Sequence, residues 1–85
     1  MISYEPFFHT LKEKNLTTYR LIRYYGVSRS LIDRLKHNRP LSTVTINDLC
    51  TMLECPVQDI LEYYPDYLIE EPSTEKHNEN EKPLP

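Results

Sequence analysis

LTTYRLIRYYGVSRSLIDRLKHNR, residues 16–39, reads as two short helices joined by one tight turn at Gly26. Gly26 is the only glycine in the chain. A lone glycine between two apolar-periodic runs marks a backbone position that needs φ > 0, where one helix ends before the next begins. Before it Leu21, Ile22 and Tyr25 recur at i, i+1 and i+4; after it Leu31, Ile32 and Leu35 repeat that spacing, so each helix has one apolar face. The other faces are basic. Arg20, Arg23, Arg29, Arg34, Lys36 and Arg39 stand against the single acid Asp33, a local balance of +5 in a chain whose formal net charge is −3.

Three helix starts share one local pattern. Leu16 precedes Thr17 and is answered by Leu21; Val27 precedes Ser28 and is answered by Ile32; Leu41 precedes Ser42 and is answered by Ile46. Each is an apolar residue, a Ser or Thr N-cap and an apolar fourth helical residue, the arrangement of a hydrophobic staple. The hydroxyl takes an otherwise orphaned N–H, and the staple sets the angle at which the chain enters the helix.

Outward from this core, Met1 to Tyr4 is apolar enough to lie against the body through Ile2 and Tyr4. Pro6 suits the first turn of a helix whose inward face is Phe7, Phe8 and Leu11 and which ends near Asn15. A fourth helix is expected over Thr43 to Glu54, with Ile46, Leu49, Cys50 and Leu53 inward. A fifth is expected from Pro56, with Val57, Ile60, Leu61 and Tyr64 as its apolar face and Pro65 limiting it. From Asp66 the chain turns acidic and proline-punctuated: six acids stand against Lys76 and Lys82 in residues 66–85, leaving +1 for residues 1–65. The expected architecture is all-α: a compact five-helix domain over residues 1–69 and a disordered acidic tail over 70–85.

Eighty-five residues allow one small domain. Cys50 and Cys55 are too few for a disulfide scaffold and match no zinc spacing. His9, His37 and His77 are scattered, so no metal site or histidine catalysis is expected, and no cofactor. No Cys-His set, Ser-His-Asp set or phosphate-cradling glycine loop is present, which argues against an enzyme. Neither a secretory leader nor a membrane-length apolar run is found, and a cytoplasmic location is expected.

These residues resemble the Cro and lambda-repressor-like (XRE) helix-turn-helix transcription regulators from about Phe8 to Tyr64. The features that carry the resemblance are Leu16-Thr17, Leu21, Gly26-Val27-Ser28, Ser30, Ile32, Leu35, Ser42, Ile46, Leu49, Leu53 and Val57 to Leu61. The chain looks like the minimal, five-helix members that begin MISY and end in a Tyr-Pro-Asp step, here Tyr64-Pro65-Asp66. It departs from them at Ile22, where many members carry a small residue, and at Thr18, where many carry glutamine.

The resemblance implies a DNA-binding regulator, a repressor of its own or a neighbouring promoter. Its second motif helix would lie in the major groove with the first across the backbone. On the recognition helix, Ser28 to about His37, the residues Ser28, Arg29, Ser30, Asp33 and Arg34 lie off the core side and are the candidates for base contact. Arg29 and Arg34 suit guanine O6 and N7, and Asp33 either accepts from cytosine or pairs with Lys36 or His37. Thr17, Thr18, Lys36, Asn38 and Arg39 are the candidates for phosphate. Tyr19, Tyr24 and Tyr25 are read as core edge.

Specific affinity normally needs two half-sites, so a homodimer on double-stranded DNA is expected, with no small-molecule ligand. Tyr63, Tyr64 and Tyr67 to Ile69 are the expected dimer surface. The alternative is a protein-interaction module, an antitoxin or anti-repressor that keeps the fold without reading DNA, which the negative net charge and the acidic tail favour. The tail folding back on the basic face is also left open.

Overall fold

The structure is a computed structural model and describes residues 1–65; the expected packing of 66–69 and the tail over 70–85 lie outside the described residues. In chain order come β1 (Ile2–Ser3), α1 (Glu5–Glu13), α2 (Thr18–Tyr24), α3 (Arg29–Lys36), α4 (Thr43–Leu53), a single 3-10 turn (Val57–Asp59) and β2 (Glu62–Tyr63). The described residues are mainly helical, with one small antiparallel sheet pairing Ile2 with Tyr63 and Ser3 with Glu62.

Each N-cap sits where its pattern places it. Thr17 Oγ1 accepts from the N–H of Arg20 at 3.1 Å, Ser28 Oγ from Leu31 at 3.0 Å and Ser42 Oγ from Thr45 at 3.1 Å. All three cap residues have extended backbones. An extended cap before a helical run satisfies one orphan donor and turns the chain sharply, so the helix starts are locally determined.

The helix ends rest on left-handed residues. Gly26 has φ +76°, and the N–H of Val27 reaches back to the carbonyl of Leu21 at 3.1 Å. Asn15, Asn38 and Glu54 take the same backbone region at φ 58°, 55° and 53°. After each of these three, the next N–H closes on the carbonyl five residues earlier: Leu16 on Leu11, Arg39 on Arg34, Cys55 on Cys50. These are Schellman closures, which occupy carbonyls the helix would leave unpaired.

Phe7, Leu21, Leu35, Leu49 and Ile60 are the fully buried large side chains. Each comes from a different element: α1, α2, α3, α4 and the residue after the 3-10 turn. That is why one small core holds the whole described chain. Phe8, Ile22, Ile46 and Cys50 pack against it half-buried, and both cysteines are free thiols.

The expected fifth helix is absent. After the single turn at Val57–Asp59 the chain extends and pairs with β1. Thr10 Oγ1 of α1 donates to the carbonyl of Asp59 at 2.8 Å, occupying an acceptor that a continuing helix would need. Glu62-Tyr63-Tyr64 then finds a partner in the N-terminal strand: Tyr64 N–H donates to Met1 O at 2.8 Å, and the Met1 amino group to Tyr64 O at 2.7 Å. Ile60 and Leu61 still turn inward, whereas Val57 and Tyr63 are exposed. The apolar spacing was real, but one turn and a strand satisfy it. No described helix is long and apolar enough to cross a membrane.

Candidate nucleic-acid interface

The wet face of α3 carries exposed cations. Ile32 and Leu35 are buried and Leu31 is half-buried, so Arg29, Ser30, Asp33 and Arg34 are left on the exposed side. Their spacing of i, i+1, i+4 and i+5 puts them on one face of the helix. Lys36, Asn38 and Arg39 follow at its C-terminal end, also exposed. The side chains of Arg29, Arg34, Lys36 and Arg39 have no ion-pair or hydrogen-bond partner among the described residues. A cation without a protein partner is available to an anion from outside.

Ser28 and Thr17 both spend an acceptor lone pair on a cap, and each hydroxyl keeps its O–H for donation. Ser28 is exposed at the mouth of α3, and Thr18, the first residue of α2, is half-buried. Asp33 does not stand alone. Its Oδ1 lies 3.3 Å from Nδ1 of His37, one turn on, and the same ring nitrogen lies 2.9 Å from the Asp33 carbonyl. Of the two roles open to Asp33, the geometry displays the intrahelical pair.

Asn38 has a structural role that its expected phosphate contact did not include. Its Oδ1 accepts from the N–H of Tyr4 at 3.0 Å, while its left-handed backbone ends α3. The phenol of Tyr4 donates to the carbonyl of Arg39 at 2.9 Å, and burial raises its pKa. One buried tyrosine thus fixes the loop that carries Asn38 and Arg39, just after Lys36. The local spacing of residues 16–39 could not show this, because the partner lies 34 positions upstream.

Arg20 and Arg23 are engaged elsewhere. Their guanidinium carbons sit 5.4 and 5.7 Å from the centroid of the Tyr24 ring. Tyr19 and Tyr24 are 63% and 65% exposed and Tyr25 is 46% exposed, so they are surface residues rather than core edge. An exposed tyrosine flanked by two arginines holds them by cation–π attraction.

A model of the Cro/C1-type HTH DNA-binding domain matches residues 9–66. The crystal structure of the transcriptional regulator VanUg, Form II, is similar, with a TM-score of 0.64 and 28% identity over 72% of this chain and 81% of that one. No curated protein matches the chain. The matched span runs from α1 through β2 and includes every capped helix described above, and the chain belongs to the Cro/C1-type helix-turn-helix DNA-binding domains.

Proposed function

We propose that this chain is a sequence-specific regulator of transcription that reads the major groove of double-stranded DNA with α3. The observation that carries the proposal is the pair Arg29 and Arg34, exposed and unpartnered among the described residues, on a helix whose start and end are both fixed by hydrogen bonds. Arginine forks bond guanine O6 and N7 in pairs, and each good bidentate contact contributes about 1–3 kcal/mol of discrimination. Ser28 and Ser30 accept or donate to neighbouring base edges; Asp33 either takes a cytosine amine or keeps His37 turned along the helix. Thr17, Thr18, Lys36 and Arg39 hold phosphates on either side, with Asn38 contributing its free amide hydrogens. Repression follows from occupancy alone, since a protein seated in a promoter groove obstructs transcription without further machinery.

Two copies on a two-fold operator are proposed, because a single short recognition helix offers few base contacts. With the fifth helix replaced by a strand, exposed Tyr63 on β2 remains the proposed contribution of this region to the dimer. The test is a fluorescence-anisotropy titration against DNA from the region upstream of the coding sequence, at two salt concentrations, with an unrelated duplex of equal length. Preferential binding with a steep salt slope supports the reading. Weak, equal binding to both duplexes rejects it in favour of a protein partner such as a toxin or a second regulator.

A further inference from the structure

The body carries eight Lys and Arg residues before position 66, and six of them fall between Arg20 and Arg39. The remaining two, Lys12 and Lys14, belong to α1 and the residue that caps it. The chain beyond the described residues is of opposite sign: Asp66, Glu70, Glu71, Glu75, Glu79 and Glu81 against Lys76 and Lys82. Such a segment has one strongly attractive surface within its own molecule.

Its point of departure lies near that surface. Tyr64 is bonded to Met1, β1 runs from there to Tyr4, and Tyr4 is bonded to Asn38 at the end of α3. Three residue steps along β1 carry the chain from Met1 to Tyr4, about 10 Å. The recognition helix itself spans about 12 Å for its eight residues. Twenty residues reach at most about 66 Å when fully extended, several times the length of α3, so residues 66–85 are long enough to reach all of it. The neighbouring groove along α1 turns such a segment away, because Glu5, Glu13, Asp59 and Glu62 line it.

From this placement we infer that the acidic segment 66–85 docks in cis on the basic face formed by Arg29, Arg34, Lys36 and Arg39, and competes there with DNA. The competition rests on the DNA reading proposed above; the docking does not. Tethering at millimolar effective concentration makes a weak ionic contact matter. DNA then binds only where its contacts outweigh the tail, so weak phosphate-only encounters are suppressed more than an operator that also pairs with Arg29 and Arg34. Such a tail sharpens discrimination while lowering affinity, and its effect vanishes with salt.

The test uses three full-length chains: the natural one, a tail variant E70Q/E71Q/E75Q and a body variant E5Q/E13Q/E54Q with the same change in net charge. Without DNA, amide and arginine Nε resonances of residues 29–39 are expected to move in the tail variant and not in the body variant. Added 0.5 M salt, on the order of the concentration that collapses the screening length, should move the natural chain to the same positions. With a nonspecific 20-base-pair duplex at low salt, the tail variant should bind about threefold to tenfold more tightly than either other chain. Equal tightening by both variants, with unmoved α3 resonances, overturns the inference and leaves DNA binding standing. Resonance shifts that depend on protein concentration also overturn it, by placing the segment on a second copy. Tail-dependent shifts in chains that bind no DNA uphold the docking and overturn the DNA reading instead.

Discussion

The backbone N–H of Tyr4 donates to Oδ1 of Asn38 at 3.0 Å, which ties the N-terminal strand to the residue that ends the recognition helix. The Tyr4 hydroxyl adds a second tie to the carbonyl of Arg39. Together they hold the cationic loop after α3 through residues that are themselves packed in the core, Tyr4 being 4% exposed. A surface meant to meet a rigid duplex gains from such support, because a loop ordered in advance loses less entropy on binding.

Asn38 combines a left-handed backbone with that acceptor, and the two contributions separate by mutation. Asn38→Gly keeps the backbone freedom and loses only the bond, an expected cost of about 1 kcal/mol. Asn38→Ala loses both and should cost about 2 kcal/mol. Urea unfolding of the two variants checks the order. Equal losses would show that the bond to Tyr4 contributes everything and the backbone conformation nothing.

Gly26 and Glu54 are opposite cases of one rule. A Cβ on Gly26 would meet nothing within 4 Å, so Gly26→Ala should cost only the left-handed penalty, about 1 kcal/mol, with no packing term. Glu54 is exposed at φ 53° with no hydrogen bond from its side chain among the described residues, so Glu54→Gly is expected to stabilise by about 0.5–1 kcal/mol. Thermal unfolding midpoints should move in opposite directions for the two substitutions.

Thr10 is 5% exposed, and its hydroxyl ties α1 to the end of the 3-10 turn by donating to the Asp59 carbonyl. Thr10→Val keeps the shape and removes the donor. Leaving that carbonyl unpaired should cost about 1–3 kcal/mol. The accompanying loss of protection in hydrogen exchange should concentrate at Tyr64, whose N–H pairs with Met1, rather than in α3. Uniform loss across all elements would contradict a local role.

What the sequence disclosed and what it withheld divide by distance along the chain. Thr17, Ser28 and Ser42 act on N–H groups three residues away, so their pattern was readable and the helix starts follow it. The exposed set on α3 was readable too, since the burial of Ile32 and Leu35 decides it. The fifth helix failed because its competitor is not local: Glu62 and Tyr63 pair with Ser3 and Ile2 from the other end of the domain. Glu54 carries no mark of a left-handed conformation, whereas Gly26 carries the strongest and Asn15 and Asn38 a weaker one, since asparagine tolerates that region. Tyrosine is half apolar, so the sequence suggests core edge for Tyr19 and Tyr24, yet Leu21 alone is buried on α2 and the rings remain outside.

The central claim is that DNA is read by the exposed face of α3, and the double substitution R29A/R34A tests it most directly. Neither side chain is buried or bonded within the described residues, so the variant should unfold at the same urea concentration as the natural chain. Its affinity for the preferred duplex should fall to that for the control duplex. The slope of log K against log salt should also change by no more than about 2, the contribution of two charges. A folded double variant that still prefers the same duplex, with undiminished affinity, would contradict base reading by α3.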